Sequence, residues 1–194
     1  MAENKIRYGI KSCHYAVATI ASDGSATYAS PKPLPGARSI SLDAQGERTP
    51  YYADNMEYWV TEFNNGYEGD LTLARFPDSF HTDILGEVLD GNGILMEKQN
   101  VDPVHFALLF QFEGDQKATR HVLYNCTASR PAIVGNTKED QIAPEDESVT
   151  ITAKSIYVSA LTADIVKGKT TGSTDSTAYS AFFTTVQVPI APTP

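Results

Sequence analysis

Apolar and polar residues alternate with a period of two along much of this chain. Side chains at every second position of a strand face the same side, so this pattern predicts strands with one face buried. In the clearest run, Phe106, Leu108, Phe110 and Phe112 occupy every second position. The runs that alternate, or that are rich in aromatic and β-branched residues, are 13–20, 56–63, 105–112, 121–126, 149–161 and 182–188.

Short clusters of turn-forming residues separate the predicted strands. The Asn-Asn-Gly run at 64–66 predicts a hairpin between strands 56–63 and 67–76. A Glu-Gly-Asp run at 113–115 predicts a second hairpin after the strand that ends at Phe112. The strands are therefore expected to pair as antiparallel neighbours.

One short segment has the features of a helix. Pro77 and Asp78 suit a first helical turn, and Phe80 and Ile84 stand four residues apart. Gly86 provides a stop. Two turns are too few for an isolated helix, so we expect this helix to pack on a sheet.

Three stretches lack a regular pattern. Residues 43–55 are expected to form a long loop, because Gly46 and Pro50 should prevent either flanking strand from continuing. Polar residues dominate 135–148, and Gly, Ser and Thr are frequent in 167–177. Both of these segments are predicted to be flexible.

Length and composition fit one all-β domain. The 194 residues, 41% of them hydrophobic and 20% charged, suggest a single domain over 1–194. We expect a β-sandwich or barrel of roughly eight to ten strands with one flanking helix. No run of apolar residues is long enough for a transmembrane helix, and the N-terminus does not resemble a secretory signal.

The charge balance bears on possible partners. The chain has 24 acidic against 15 basic residues, a net charge of -9. Proteins that clamp nucleic acid cluster Lys and Arg, so this balance argues against such a function. It does not argue against a protein past which nucleic acid moves without being bound.

Catalytic and metal-binding patterns are weak. Cys13 and Cys126 are far apart and predicted to be reduced thiols, and no short-spaced set of ligands predicts zinc. His105 and His121 are candidates to face each other across the second hairpin. Residues 163–170 loosely match a phosphate-binding loop but have Ala163 in place of glycine, and no helix is predicted after them. We expect no enzyme activity, no cofactor and no metal.

Aromatic residues are concentrated in one part of the chain. Tyr51, Tyr52, Tyr58, Trp59 and Tyr67 lie within 17 residues. Such a density suits a protein contact surface, a sugar-binding platform or simple core packing. The sequence leaves these three interpretations open.

Several runs resemble a known protein family when they are taken in their order. They are 5–11 followed by Tyr15-Ala16, 76–80 followed by 83–86, 106–115 and 124–131. Together they resemble the major tail proteins of bacteriophages with long non-contractile tails. The resemblance extends from about residue 4 to 190. Some members of that family carry an additional immunoglobulin-like domain at the C-terminus, which is expected to be absent here.

The resemblance implies a structural virion protein. Such subunits form hexameric rings that stack into a tail tube, and DNA passes through its lumen into the host. The implied partners are other copies of the chain, the tape-measure protein, the tail terminator, the baseplate proteins and DNA in transit, but no membrane. Assembly in the host cytoplasm is expected. The alternative from the residues alone is a monomeric β-sandwich module that binds carbohydrate or a receptor.

A long loop between early strands reaches the neighbouring ring in this family. The resemblance therefore assigns 43–55 to contacts between rings. Its candidate contact residues are Arg48, Tyr51, Tyr52 and Asn55, because Arg and Tyr offer large area and directional hydrogen bonds.

The hairpin predicted at 56–76 carries a set of acidic residues. Glu57, Glu62, Glu68 and Asp70 are candidates for an acidic lumen wall, since a basic wall would trap DNA. A solvated outer face is the alternative for these four residues.

Overall fold

Thirteen β-strands dominate the residues described by a computed structural model, which are 4–137 and 144–191. The strands are β1 (Arg7–Ile20), β2 (Ala26–Tyr28), β3 (Lys32–Leu34), β4 (Ala37–Ala53), β5 (Met56–Leu73), β6 (Val88–Leu89), β7 (Leu95–Met96), β8 (Phe106–Gly114), β9 (Thr119–Ala128), β10 (Glu147–Lys154), β11 (Ile156–Val158), β12 (Ala163–Ile165) and β13 (Lys167–Lys169). The helices are α1 (Asp78–Asp83), α2 (Ser176–Ser180) and a 3-10 turn (Ala181–Phe183).

Nine of these strands form one large antiparallel sheet. Its main path runs β2-β1-β8-β9-β10-β5-β4, with β3 added to β1 and β13 added to β9. β6 pairs with β7 and β11 with β12 as separate small sheets. The all-β prediction is confirmed, and the predicted second hairpin is confirmed as β8 and β9.

The large sheet is packed on both faces. Phe106, Leu108 and Phe110 join one buried cluster, whereas Ala107 and Leu109 join another. Successive side chains of a strand point to opposite faces, so β8 contributes to both clusters. Strands buried on both sides need apolar residues throughout, and β8 is buried from Phe106 to Gln111.

The predicted flanking helix is confirmed as α1, which follows Pro77. Phe80 is fully buried, and its ring meets the edge of Tyr15 at 5.3 Å between centroids. The Tyr15 hydroxyl donates a hydrogen bond of 2.9 Å to Asp83 at the end of the helix. Burial raises the pKa of Tyr15 to about 12, so this hydroxyl keeps its proton at neutral pH.

The predicted loop at 43–55 is wrong as to its backbone. Residues 43–53 belong to β4, which pairs with β5 along the length of both strands. Only Asp54 and Asn55 form the turn, with φ angles of 53° and 61°. Asp and Asn tolerate this left-handed backbone, which a tight two-residue hairpin turn requires at both central positions.

The turn predicted at 64–66 is also wrong, because β5 passes through these residues. The Asn64 side chain accepts a hydrogen bond from the Gly66 amide, and the β4 register shifts between Gln45 and Gly46. Asn-Asn-Gly therefore makes a bulge within a strand instead of reversing the chain. The same residue types serve both structures, so local sequence could not separate them.

The strand predicted at 182–188 is wrong as well. Asp175 caps α2 by accepting hydrogen bonds from the amides of Thr177 and Ala178, and the 3-10 turn follows. Phe182 and Val186 then pack into the second buried cluster. Phe182 lies in the 3-10 turn and Val186 in the irregular segment that follows, so neither belongs to a strand.

The structure describes the backbone for parts of the two segments predicted to be flexible. Lys167–Lys169 form β13 against β9, so the backbone there is regular. Residues 138–143 lie outside the described part of the chain, and the segment 135–148 ends in β10, which begins at Glu147.

Candidate assembly surface

The outer part of the β4–β5 hairpin projects beyond the rest of the sheet. β10 covers the far edge of β5 only along 67–73. The described part of the chain places no strand beside β5 before Tyr67, so 46–65 form a ribbon of two strands. We call this ribbon the arm, and the part of the hairpin at 37–44 and 67–73 the body of the hairpin.

The arm joins the body at a tight junction. Gly66 has a φ of +94°, and a side chain there would meet the Ala153 carbonyl oxygen at 1.9 Å. Both the backbone angle and the close approach require glycine. The bulge at 64–66 and this glycine set the direction in which the arm leaves the sheet.

Large apolar side chains cover the arm and are exposed. Tyr58 is 71% exposed and Trp59 is 62% exposed. The exposed large hydrophobic residues of the arm are Tyr51, Tyr52, Met56, Tyr58, Trp59, Val60 and Phe63. Exposed apolar side chains at this density are typical of a protein interface.

Cross-strand pairing divides the arm into two unlike faces. Directly opposed residues share a face, so the pairs Tyr51–Trp59 and Glu47–Phe63 lie on the same side. Thr61 stands between them, and its hydroxyl is buried without a hydrogen-bond partner in the described structure. We call this side the aromatic face.

The opposite face of the arm is mixed, with one basic and two acidic residues beside apolar ones. Arg48 lies directly across from Glu62 and makes a 2.7 Å ion pair with Glu57. Pro50, Val60 and Tyr52, which is opposite Glu57, share this side. The aromatic face, with Tyr51, Trp59 and Phe63, therefore carries more large aromatic side chains than this side does.

The four candidate contact residues are thus distributed over different parts of the arm. Tyr51 lies on the aromatic face, Arg48 lies on the opposite face, and Asn55 lies in the turn. Tyr52 is 64% exposed next to a register shift. The prediction of ring contacts through these residues remains untested.

The four acidic candidates separate into two pairs. Glu57 and Glu62 belong to the arm and face Arg48. Glu68 and Asp70 belong to the body, where Glu68 stands directly across from Asp43.

Ser and Thr surround the acidic residues of the body. Thr150 on β10 donates a 2.9 Å hydrogen bond to Asp70. The other hydroxyl residues at opposed positions on this side are Ser39, Ser41, Thr72, Ser148 and Thr152. The body therefore carries a continuous polar face with three carboxylates, Asp43, Glu68 and Asp70, which we call the acidic face.

Comparison with known protein families decides the class of this chain. Residues 2–170 match the family model described as phage tail tube protein. The chain belongs to the phage tail tube protein family. No curated protein sequence shows significant similarity to it.

Membership gives this tail tube protein a structural role in the virion. Proteins of the family assemble with themselves into a tube. Within residues 4–137 and 144–191, no helix is long and apolar enough to cross a bilayer.

The histidines of the tail tube protein are held by structural contacts. His105 and His121 do not face each other, because His121 is opposite Phe110 and His105 bonds to Asn125 at 2.6 Å. The His121 ring stacks on Phe110 at 5.3 Å. Burial, aided by the positive charges of nearby Arg and Lys side chains, lowers the pKa of His121 to about 4.

The remaining candidate groups are also embedded in packing. Thr170, in the segment that resembles a phosphate-binding loop, is buried and accepts a hydrogen bond from the Arg120 amide. Cys13 and Cys126 are free and buried, and burial raises the pKa of Cys13 to about 12. The described residues contain no group of three or more His, Cys, Asp or Glu suited to a metal ion.

Sequence reasoning missed two residues that the tertiary structure makes prominent. Phe63 shares the aromatic face with Tyr51 and Trp59, and Asp43 joins the acidic face. Alternation along one strand assigns residues to two faces but does not identify the partners across the hairpin. The position of the turn, at Asp54 and Asn55, fixes which residues of β4 and β5 are opposite each other.

Proposed function

We propose that this chain forms rings, hexameric as in the family it resembles, that stack into a tube through which phage DNA passes. The observation that carries the proposal is the aromatic face on a projecting two-stranded arm. An isolated two-stranded ribbon is at best marginally stable in water. Its burial against another copy would remove this exposed apolar surface.

The aromatic residues suit a role in contacts between rings. Trp and Tyr are enriched among interface residues that contribute most to binding, because each buries a large rigid surface. Trp59 and Tyr51 are directly opposed on one face and 62% exposed each. We assign the central contact to them and to Phe63, and a peripheral contact to Arg48, Tyr52 and Asn55.

The edges of the large sheet support closure into a ring. β2 and β4 end the main path of the sheet within the described residues. Unpaired edges promote association with other strands unless they are covered. Side-by-side copies that pair their sheets would remove these edges, as closure of a barrel does.

The acidic face suits a wall along which DNA moves. Asp43, Glu68 and Asp70 present carboxylates among Ser and Thr hydroxyls. Carboxylates repel phosphate, whereas clustered cations would bind it strongly. We therefore keep Glu68 and Asp70 as lumen residues, and we assign Glu57 and Glu62 to the polar side of the arm.

The proposal extends to partners and location. Tubes of defined length need a tape-measure protein inside, a terminator at one end and baseplate proteins at the other. These partners, and assembly in the host cytoplasm, follow from the family that the chain resembles. DNA is expected to pass without specific binding.

Removal of the arm tests the proposal most directly. We replace 47–63 with an Asn-Gly turn, which keeps Gly46 and the junction at Gly66. The melting temperature should stay within a few degrees, because the arm lacks buried contacts with the sheet. Tubes seen by electron microscopy of the unmodified chain should be absent from the variant.

A pair of point variants controls for the loss of the arm. Trp59→Ala should prevent stacking, whereas Glu62→Ala on the opposite face should leave it largely intact. Normal tubes from the shortened chain would remove the arm from the contact. An unmodified chain that stays monomeric at high concentration, even with an initiating tail complex, would favour the binding-module alternative.

A charge change tests the lumen assignment separately. Glu68→Lys combined with Asp70→Lys should leave tubes intact and slow DNA ejection, most strongly at low salt where charges are least screened. Glu57→Lys with Glu62→Lys is the matched control in the arm. Unchanged ejection at low ionic strength would place Glu68 and Asp70 outside the lumen.

A further inference from the structure

A group of Lys and Arg residues without acidic partners lies at the end of the sheet from which the arm projects. Six other cations of the chain form salt bridges with carboxylates. Within residues 4–137 and 144–191, the members of this group form none. They are Arg7, Lys117, Arg120, Lys167 and Lys169, which we call the cationic surface.

Contacts place these five residues together. Lys117 and Arg120 lie over the same Tyr179 ring, at 3.7 and 3.8 Å from its centroid. Lys169 stands directly across from His121 on β9. Lys117 and Lys169 also line one cleft at this end of the sheet.

Two further contacts bring the remaining members of the cationic surface to the same place. Arg7 lies over Phe112, a ring that contacts His121. Lys167 lies over Tyr67 at the base of the arm. The chain as a whole carries a net charge of -9, whereas these five grouped residues are all positively charged.

Strand register shows that the arm and the cationic surface share one end of the sheet. Lys154 at the end of β10 is opposite Asn125, and Tyr67 is opposite Ala153. β9 continues from Asn125 towards Thr119 on the side where the arm leaves, and β13 follows it there. The arm and the cationic surface therefore lie at the same end of the sheet.

The other end of the sheet has complementary properties. β5 ends there and leads into 75–104, which we call the receiving segment. It contains six acidic and two basic residues. Glu97 pairs with Arg130 just beyond the end of β9, which places the segment at this end.

The receiving segment also exposes apolar side chains. β6 and β7 form a small hairpin in which Leu89 is 60% exposed and Met96 is 50% exposed. The exposed large hydrophobic residues of the segment are Val88, Leu89, Ile94, Met96 and Val101. Their exposed fractions range from 39% to 60%.

We propose that the arm end of one copy docks on the receiving segment of the next copy, head to tail. The aromatic face covers the β6–β7 hairpin, and the cationic surface meets carboxylates such as Asp78 and Asp102. This inference rests on the proposed tube and names the surface that receives the arm.

Symmetry favours a head-to-tail contact over a contact between two arms. A contact between two different surfaces at opposite ends of a subunit repeats without limit and builds filaments. A tube of stacked rings needs such a contact.

Cross-linking tests the pairing of the two ends. Thr49 lies on the aromatic face, and Gly91 in the β6–β7 turn has nothing within 4 Å of an added side chain. A chain with Thr49→Cys and Gly91→Cys, treated with a bismaleimide, should give a ladder of covalent trimers and longer chains. Cys13 and Cys126 are buried and should not react.

The single variants and one matched pair serve as controls. Thr49→Cys alone and Gly91→Cys alone should remain monomeric on denaturing gels, and Thr49→Cys with Ser41→Cys should give no ladder. Dimers from either single variant, or tubes of the double variant without a ladder, would overturn the head-to-tail contact. Failure of the unmodified chain to assemble at all would instead count against the tube, and with it the inference.

Charge reversal gives an independent test. Lys167→Glu with Lys169→Glu should weaken assembly about tenfold or more, and so should Asp78→Lys with Asp102→Lys. The chain with all four changes should recover most of the assembly. Lys98→Glu, which makes the receiving segment more acidic, should not weaken it. Absence of recovery in the folded fourfold variant would contradict the proposed pairing of charges.

Discussion

The two parts of the β4–β5 hairpin have the same secondary structure and opposite relations to solvent. In the body, Leu71 and Leu73 are fully buried and β10 covers the edge of β5. In the arm, Trp59 and Phe63 are exposed and neither face is covered by the described residues. Strand pairing alone therefore does not make a stable element. The body differs from the arm because the apolar face of the body is buried.

The same difference separates the residues that stabilise the folded chain from those available for contacts with another copy. Burial of Leu or Phe stabilises a fold by about 1.5–3 kcal/mol per side chain, and the body gains this within one chain. The arm gains it only when another surface covers it. Substitutions in the body should therefore change the free energy of unfolding, and those in the arm should change assembly.

The largest expected contrast is between two aromatic residues. Phe80→Ala should lower the free energy of unfolding by about 3–5 kcal/mol, because it leaves a cavity between α1 and the sheet. Trp59→Ala should change it by less than about 0.5 kcal/mol. Urea unfolding followed by far-UV circular dichroism measures both free energies. Tryptophan fluorescence would not serve, because Trp59 is the only tryptophan and one of the variants removes it. Equal losses would show that the arm is part of the folded core.

The junction between body and arm should give the next largest effect. Gly66→Ala should cost about 1–3 kcal/mol, because a left-handed backbone and the Ala153 carbonyl both oppose a side chain. Gly91→Ala, in an open turn, is the matched control and should stay within about 0.5 kcal/mol. A harmless Gly66→Ala would mean that the junction can relax and that the arm direction is not fixed.

One pH-dependent effect should come from His121 on β9, outside the arm. The pKa of His121 is lowered to about 4, against about 6.5 for a free histidine. Between these values the unfolded chain binds more protons, so the stability due to neutral His121 is lost as pH falls from 6.5 towards 4.

The His121→Phe variant isolates this contribution. Its melting temperature should fall less steeply than that of the unmodified chain over the same pH range. Trp59→Ala should keep the unmodified slope, because the arm takes no part in this titration. Identical slopes for His121→Phe and the unmodified chain would contradict the burial of a neutral ring.

The smallest expected effect concerns the ion pair of the arm. Arg48 and Glu57 are exposed, with 56% and 36% of their side-chain surface accessible. Exposed pairs typically contribute less than about 1 kcal/mol, so Arg48→Ala should barely change the unfolding midpoint. Thermal unfolding at low and high salt measures this. A large loss would show that the polar face stiffens the arm independently of a partner.

The local sequence pattern predicted an element correctly where only one structure was compatible with it. Alternation at 105–112 defined β8, and Pro77 with Asp78 marked the start of α1. Turn-forming residues were ambiguous, since Asn-Asn-Gly at 64–66 bends a strand and Asp54-Asn55 reverses it. The choice depends on which register buries Leu71 and Leu73, and that is a tertiary property.

The sequence by itself determined the all-β class, the short helix and the absence of a recognisable catalytic pattern, because these depend on spacing along the chain. Tertiary structure decided that 43–53 is a strand, that Tyr51 and Trp59 share a face, and that Arg48 turns away from them. It also brought Arg7, Lys117 and Lys169 to one end of the sheet. Faces and ends come from pairing between distant residues, whose register is fixed only when the whole sheet buries its apolar side chains.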